Sequence, residues 1–309
     1  MPDAPTSTTP ALPATHVFIA GLPRTGSTLT HRILNRSPQV RLAGETHFLG
    51  TSGPLGGRRG AGQRFAASGD LRTDAGLDRV VDAIYASRGK SFWSRFASTV
   101  DRATFERALR AGDRTERSLF DATMRTFAGG KPVAGDKTPE HILVVPTLLG
   151  WFPDARVIHT FRDPRAIYVS LRQKEREETL SAWGRLARRA GPLFEVYAST
   201  SLALRWRRMA RLHRRYAAAY PERYLLQRFE DLLADPEQTV RRLSDFIGIA
   251  FDDSMLEQVV HNSSYAPKRS GAGIDRAVAE RWRQHLPRTT ERWLSFLCGR
   301  DLARFGYER

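Results

Sequence analysis

Short continuous apolar runs alternate along the chain with stretches of helical spacing, and turns bearing glycine or proline separate them. Val17, Phe18 and Ile19 form the first run, the pattern of a strand buried on both faces. A tight turn from Gly21 to Gly26 follows, and Leu29, Ile33 and Leu34 then recur at helical spacing. Val40 to Ala43, Lys131 to Ala134, Ala155 to Phe161 and Tyr224 to Phe229 predict four further strands. Leu77, Val80, Val81 and Ile84, then Leu119, Met124 and Phe127, show helical periodicity without a clear strand, which predicts a helical insertion at about 65–128. Leu202, Trp206, Met209, Tyr216 and Tyr220 mark the packing face of a long Arg-rich helix. Val240, Leu243, Phe246 and Ile247 mark another that ends at Gly248, and a last helix is predicted from about Thr290 to Phe305. Thr138-Pro139, Asp163-Pro164 and Asp235-Pro236 each set a capping residue before a proline, a repeated signal for a helix start.

Strands separated by helices predict a parallel sheet, hence an α/β, P-loop-like three-layer fold with a central five-stranded sheet. Residues 1–14, rich in Pro, Thr and Ala, read as a disordered tail, and residues 15–309 as one domain carrying the insertion. Ligands of such sheets gather at the carboxyl ends of the strands. The first strand, glycine turn and helix point backbone N–H groups and a helix N-terminus at one anion. The spacing Gly21-x4-Gly26 matches the phosphate loop of nucleoside triphosphatases, except that Ser27, followed by Thr28, stands where that loop has lysine. Arg24, inside the loop, is the natural substitute cation. The other loops on this edge carry Glu45, Thr46 and His47, then Lys137 and Thr138, then Arg162. A cation at the helix start predicted after Thr138 works against the macrodipole, which favours a ligand role for Lys137. Cations and amide donors dominate, an arrangement suited to moving a multiply charged anionic group to a neutral acceptor.

Charge sharpens this picture. Lys and Arg number 49 against 33 Asp and Glu, a net charge of +16, which suggests an anionic ligand, a nucleic acid or an anionic surface. The chain has no aromatic-basic motif for nucleic-acid recognition. Its one cysteine, Cys298, makes no internal disulfide and fits a reducing compartment. No apolar run reaches membrane-spanning length, and the N-terminus lacks the pattern of a signal peptide, so the expectation is a cytoplasmic protein without a transmembrane segment. No His, Cys, Asp and Glu cluster has metal-ligand spacing, and Arg162 ends the fourth strand where a triphosphatase would hold its Mg²⁺ carboxylate, so the expected chemistry uses no metal.

GLPRTGSTLTHRIL resembles the 5′-phosphosulfate loop of the nucleotide-dependent sulfotransferases, and VIHTFRDPRAIYVSL resembles their 3′-phosphate motif. RFEDLLADPEQTVRRLSDFIGI is similar to a helix phrase of the bacterial and Golgi-type branch, and Arg24 in the loop fits the branch of glycan and tyrosyl-protein sulfotransferases. The resemblance covers most of the chain. It implies a donor, 3′-phosphoadenosine-5′-phosphosulfate (PAPS), and a hydroxyl acceptor. Arg24, Thr25, Gly26, Ser27 and Thr28 are then expected to hold the 5′ end, and Arg162 with Ser170, eight residues on, the 3′-phosphate. Lys268 and Arg269, in a basic loop at 265–273, are expected to close over that phosphate. For the base there are two candidates, Glu45 and His47, with Lys137 and Arg24 stabilising the leaving group. A P-loop nucleotide-dependent kinase and a nucleic-acid-binding module are the competing readings.

Overall fold

The structure is a computed structural model that describes residues 15–50, 59–177, 182–257 and 280–308, giving the backbone alone over 175–177 and 182–190. The predicted tail at 1–14, most of the glycine-rich loop at 51–64, and both Lys268 and Arg269 lie outside the described residues.

Five strands, β1 (His16–Gly21), β2 (Val40–Gly44), β3 (Val133–Lys137), β4 (Arg156–Phe161) and β5 (Tyr224–Arg228), form one sheet in the order β2-β3-β1-β4-β5. Every neighbouring pair is parallel. Alternation along β1 explains the three layers. Val17 and Ile19 face a core shared with Ile33 and Leu34 of helix α1 (Ser27–Arg36) and with Val240, Leu243 and Ile247. Phe18 and Ala20 face the opposite core, with Phe120, Met124 and Trp206. A run apolar on both faces is what such a position demands.

Between residues 61 and 128 the chain forms α2 (Ala61–Ala66), α3 (Asp74–Tyr85), α4 (Phe92–Thr99), α5 (Arg102–Ala111) and α6 (Glu116–Ala128). Thr73, Ser91, Asp101 and Thr115 cap α3 to α6 through their side chains, each worth about 1 kcal/mol. A short α7 (Val145–Trp151), then α8 (Pro164–Glu177) and α9 (Ala182–Ala219), follow. Gly191, at φ 49°, interrupts α9 beside Pro192. The predicted stripe on α9 is core: Leu202, Trp206, Met209 and Tyr216 are buried. Helices α10 (Phe229–Ala234), α11 (Pro236–Ile247), α12 (Trp282–His285) and α13 (Arg288–Arg304) complete the described elements. Asp235 caps α11 through its side chain as its sequence predicts.

One element departs from the sequence reading in a way that matters. The third strand does not stop at Ala134 but runs from Val133 through Gly135 and Asp136 to Lys137. Gly135 lies beyond the strand end that the sequence predicts, yet at φ 155° its missing side chain lets the Val17 carbonyl of β1 pass where a Cβ would lie 1.8 Å away. Thr138 then precedes a 3₁₀ turn (Pro139–Val144) without capping it by its side chain. Lys137 is therefore the last residue of a strand, so the helix-dipole argument does not apply to it.

Candidate active site

The loop after β1 is shaped by two glycines and one strained arginine. A Cβ on Gly21 would stand 2.3 Å from the Thr160 carbonyl of β4, and one on Gly26 2.4 Å from Cδ2 of Phe229. Gly26 adopts φ 91° and is the N-cap of α1, which has no side-chain cap and no acid in its first turn. Those leading N–H groups are therefore available to an outside anion, as they are not in α3 to α6. Thr25 locks the loop by donating to the Leu22 carbonyl at 2.7 Å, with the Thr160 hydroxyl 2.8 Å away. Ser27 is buried and Thr28 exposed.

Arg24 and Ser170, 146 residues apart in sequence, meet directly: the Arg24 Nε donates to Ser170 Oγ at 2.9 Å. Arg162 closes the same group by donating from Nη1 to the Arg24 carbonyl at 3.2 Å. Its guanidinium lies 4.2 Å over the Phe229 ring, a cation–π contact of about 1 kcal/mol. Phe229 thus touches both the loop glycine and the arginine, and it is a residue the sequence reading quoted but gave no role. An aromatic immediately after a C-terminal strand end was the available signal. Trp206 fixes the Arg162 main chain by donating to its carbonyl at 2.9 Å. The next residue, Asp163, holds the buried Arg165 through a bidentate pair, 2.7 Å at its closest.

The second cluster sits at the ends of β2 and β3. Glu45 continues the strand pairing by donating its N–H to the Lys137 carbonyl at 2.7 Å, and its carboxylate accepts from the Lys137 ammonium. The Lys137 side chain is 7% exposed and that of Glu45 50%. One member of the pair is therefore a buried cation and the other a carboxylate that reaches solvent. Thr46 N–H donates to Asp136 at 3.2 Å, His47 N–H to Thr138 Oγ1 at 3.2 Å, and the Trp93 indole to the Thr46 carbonyl at 2.9 Å. Burial pushes the Asp136 carboxyl up, but His141, whose Nδ1 is 3.0 Å away, together with the Thr138 and Thr46 bonds holds it below the usual range. This buried pair anchors the loop, and nothing in sequence spacing pointed to it.

Strain marks both clusters. Four non-glycine residues among those described have positive φ, and three of them are Arg24 at 72°, Glu45 at 52° and His47 at 46°. Each costs roughly 1–3 kcal/mol, which the surrounding bonds must hold in place. His47 approaches Glu140, Nδ1 to Oε2 being 3.5 Å, and Glu140 raises its pKa. Among the described residues no group of three or more His, Cys, Asp and Glu could hold a metal ion, and no helix is long and apolar enough to cross a membrane.

A glycine-shaped strand-to-helix turn, met by Arg162 from the end of β4 and by Ser170 from α8, lies at the carboxyl edge of a P-loop-like parallel sheet. A sulfotransferase family model matches residues 16–253, and the chain belongs to that family. It is similar to carbohydrate sulfotransferase 5 of Mus musculus, 31% identical over 175 residues, which are 49% of this chain and 41% of that protein. It is also similar to the omega-hydroxy-beta-dihydromenaquinone-9 sulfotransferase of Mycobacterium bovis, 28% identical over 137 residues, 43% of this chain and 33% of that one. The chain thus spans about two fifths of the length of the carbohydrate sulfotransferase it matches. Among solved structures, the sulfotransferase domain of the Synechococcus PCC 7002 olefin synthase shares the fold, with a TM-score of 0.53, 21% identity and 96% of each chain covered.

Proposed function

We propose that this chain transfers a sulfonate group from PAPS to a hydroxyl acceptor. The observation that carries the reading is the contact between the Gly21–Gly26 loop and the Arg162–Ser170 pair, which gathers into one place the groups expected to bind the two ends of one nucleotide. Membership of the sulfotransferase family favours it over the kinase and nucleic-acid readings. In this assignment the N–H groups of Thr25, Gly26, Ser27 and Thr28, the Ser27 and Thr28 hydroxyls and Arg24 take the 5′-phosphosulfate. Arg162, planar and always charged, takes the 3′-phosphate with Ser170. Lys268 and Arg269 remain assigned to the same phosphate by the family resemblance.

Sulfonate transfer resembles phosphoryl transfer, with in-line attack on the transferring group. The acceptor oxygen forms its bond to sulfur as the bond from sulfur to the bridging oxygen breaks, and the hydroxyl proton goes to a base. Glu45 is the proposed base, since its carboxylate reaches solvent at the strand end and is held in place by Lys137. Charge builds on the departing phosphate oxygen, where Arg24 and Lys137 are the proposed stabilisers. His47, its pKa raised by Glu140, holds its proton more tightly than an ordinary imidazole and suits acceptor positioning better than proton removal.

Titration of the protein with adenosine 3′,5′-bisphosphate and with ATP, each with and without EDTA, tests the donor. Tight binding of the bisphosphate that EDTA does not weaken is expected, followed by transfer of labelled sulfonate from PAPS in an acceptor screen. A preference for ATP with Mg²⁺ would overturn the assignment.

A further inference from the structure

The turn between α3 and α4 encloses a groove of about 610 Å³ whose walls carry Arg88, Lys90 and Arg95, with the Ser87, Ser91 and Ser94 hydroxyls between them. No acidic side chain lines it. Arg102, over the ring of Tyr85 at the edge of the groove, is paired with Asp82 and Glu106, whereas among the described residues Arg88 donates to the Tyr85 and Ser87 carbonyls alone. No ion pair of Lys90 or Arg95 is found among the described residues. All three cations are exposed, so the groove presents a solvent-facing positive surface to an anion.

The place of the groove gives it meaning. Trp93, at the start of α4, donates to the carbonyl of Thr46, and Arg95 Nη2 lies 4.0 Å from where a Cβ on Gly44 would stand. Gly44 immediately precedes Glu45, the proposed base. The groove therefore adjoins the strand end from which the acceptor hydroxyl would be activated, and lies on the helical insertion rather than on the donor loop. We propose that it is a subsite for an anionic group of the acceptor, so that the molecule sulfonated is a hydroxyl compound already carrying a carboxylate, sulfate or phosphate. This inference rests on the sulfonate-transfer reading for its chemistry, but the anion site is testable without it.

A heparin-derived tetrasaccharide, which offers carboxylates, sulfates and free hydroxyls, is the probe, and calorimetry the measurement. The double variant Lys90→Gln/Arg95→Gln is expected to weaken its binding about tenfold, while Arg208→Gln/Arg211→Gln, an equal charge loss on the exposed face of α9, changes it less than about twofold. A desulfated, carboxyl-reduced tetrasaccharide should bind both variants and the parent alike. Equal weakening by the two double variants, or no binding to the parent, overturns the proposal. Adenosine 3′,5′-bisphosphate should bind the groove variant as it binds the parent. Loss of nucleotide binding in the parent, with the groove intact, sinks the donor reading alone; nucleotide binding without groove-dependent tetrasaccharide binding sinks this one alone.

Discussion

The two halves of the sheet's carboxyl edge are built on different plans. On the side of β1 and β4, Arg24, Ser170, Arg162 and Phe229 form a mutually bonded group, and Arg162 and Ser170 are buried. On the side of β2 and β3, Glu45 and His47 stand half-exposed on strained backbone, each held by one charged partner. A site meant to bind one fixed nucleotide gains from being assembled in advance, because little ordering remains to be done on binding. A site that must admit an acceptor and move a proton has to reach solvent. The difference predicts that substitutions of Arg162 and Ser170 on the first side act on donor affinity and those on the second act on turnover, while Arg24, proposed also to stabilise the leaving group, acts on both.

The sharpest way to break that division is Glu45→Gln, which keeps the shape and removes the proposed base. Turnover is expected to fall about 10²–10⁴-fold, the usual span for loss of a general base, with the affinity for adenosine 3′,5′-bisphosphate unchanged. Single-turnover transfer of labelled sulfonate reads the first quantity and a nucleotide titration the second. Retained turnover would remove Glu45 from the proposed role. Arg162→Ala tests the other half. Two charge-assisted hydrogen bonds lost from a buried site weaken nucleotide binding by about a hundredfold, while turnover at saturating donor changes little. If Arg162→Ala instead lowered turnover at saturation, the separation of the two halves would fail.

The same contrast explains what could be read from sequence. The half proposed to hold the donor is carried by two contiguous motifs, so the loop from Gly21 to Thr28 and the residues Arg162 and Ser170 were visible as strings, and the strands beside them were nearly right at both ends. The acceptor half is assembled from residues that only the fold brings together. Asp136 and His141 are ordinary in sequence, yet they pin the main chain of Thr46, and no spacing rule would single them out. The helix-dipole argument for Lys137 fails because the sequence pattern ends the strand at Ala134, and only the close passage of β1 shows why it continues through a glycine. Phe229 is legible as an apolar residue, but its use as the platform beneath Arg162 depends on β5 lying next to β4.

A smaller effect concerns the floor of the donor half. His159 of β4 is fully buried, with Nδ1 2.5 Å from the Tyr224 hydroxyl, and burial followed by the nearby His213 pushes its pKa down to about 3. Its unfolded value is about 6.5. Below that pH the unfolded chain takes up a proton that the folded chain refuses, so this group's contribution is complete above about 6.5 and is lost as pH falls towards the folded value. At pH 5 the loss amounts to roughly 2 kcal/mol, an order-of-magnitude figure. His159→Phe removes the proton uptake and should flatten the dependence of urea-unfolding stability on pH between about 6.5 and 4 relative to the parent. An unchanged slope would mean that the acid sensitivity lies elsewhere. Substitution at His47, whose pKa is raised, should change that slope in the opposite sense, because it removes a contribution present at acid pH and lost as pH rises.

His47 itself gives the smallest effect and the finest test of the comparison. Its ring is half-exposed, its pKa is raised by Glu140, and its backbone sits in the left-handed region, where asparagine is tolerated better than most residues. If proton removal belongs to Glu45, His47→Asn should leave turnover within about threefold of the parent and act mainly on the acceptor KM, since a histidine that only positions the acceptor takes no proton in the step. Were His47 the base instead, the same substitution would lower turnover about a hundredfold or more, and the acid limb of the pH–rate profile, set by a histidine with a raised pKa, would disappear with it. The profile decides where the rate alone could mislead, because a positioning residue and a base can both slow the reaction while only the base moves the pH at which it begins.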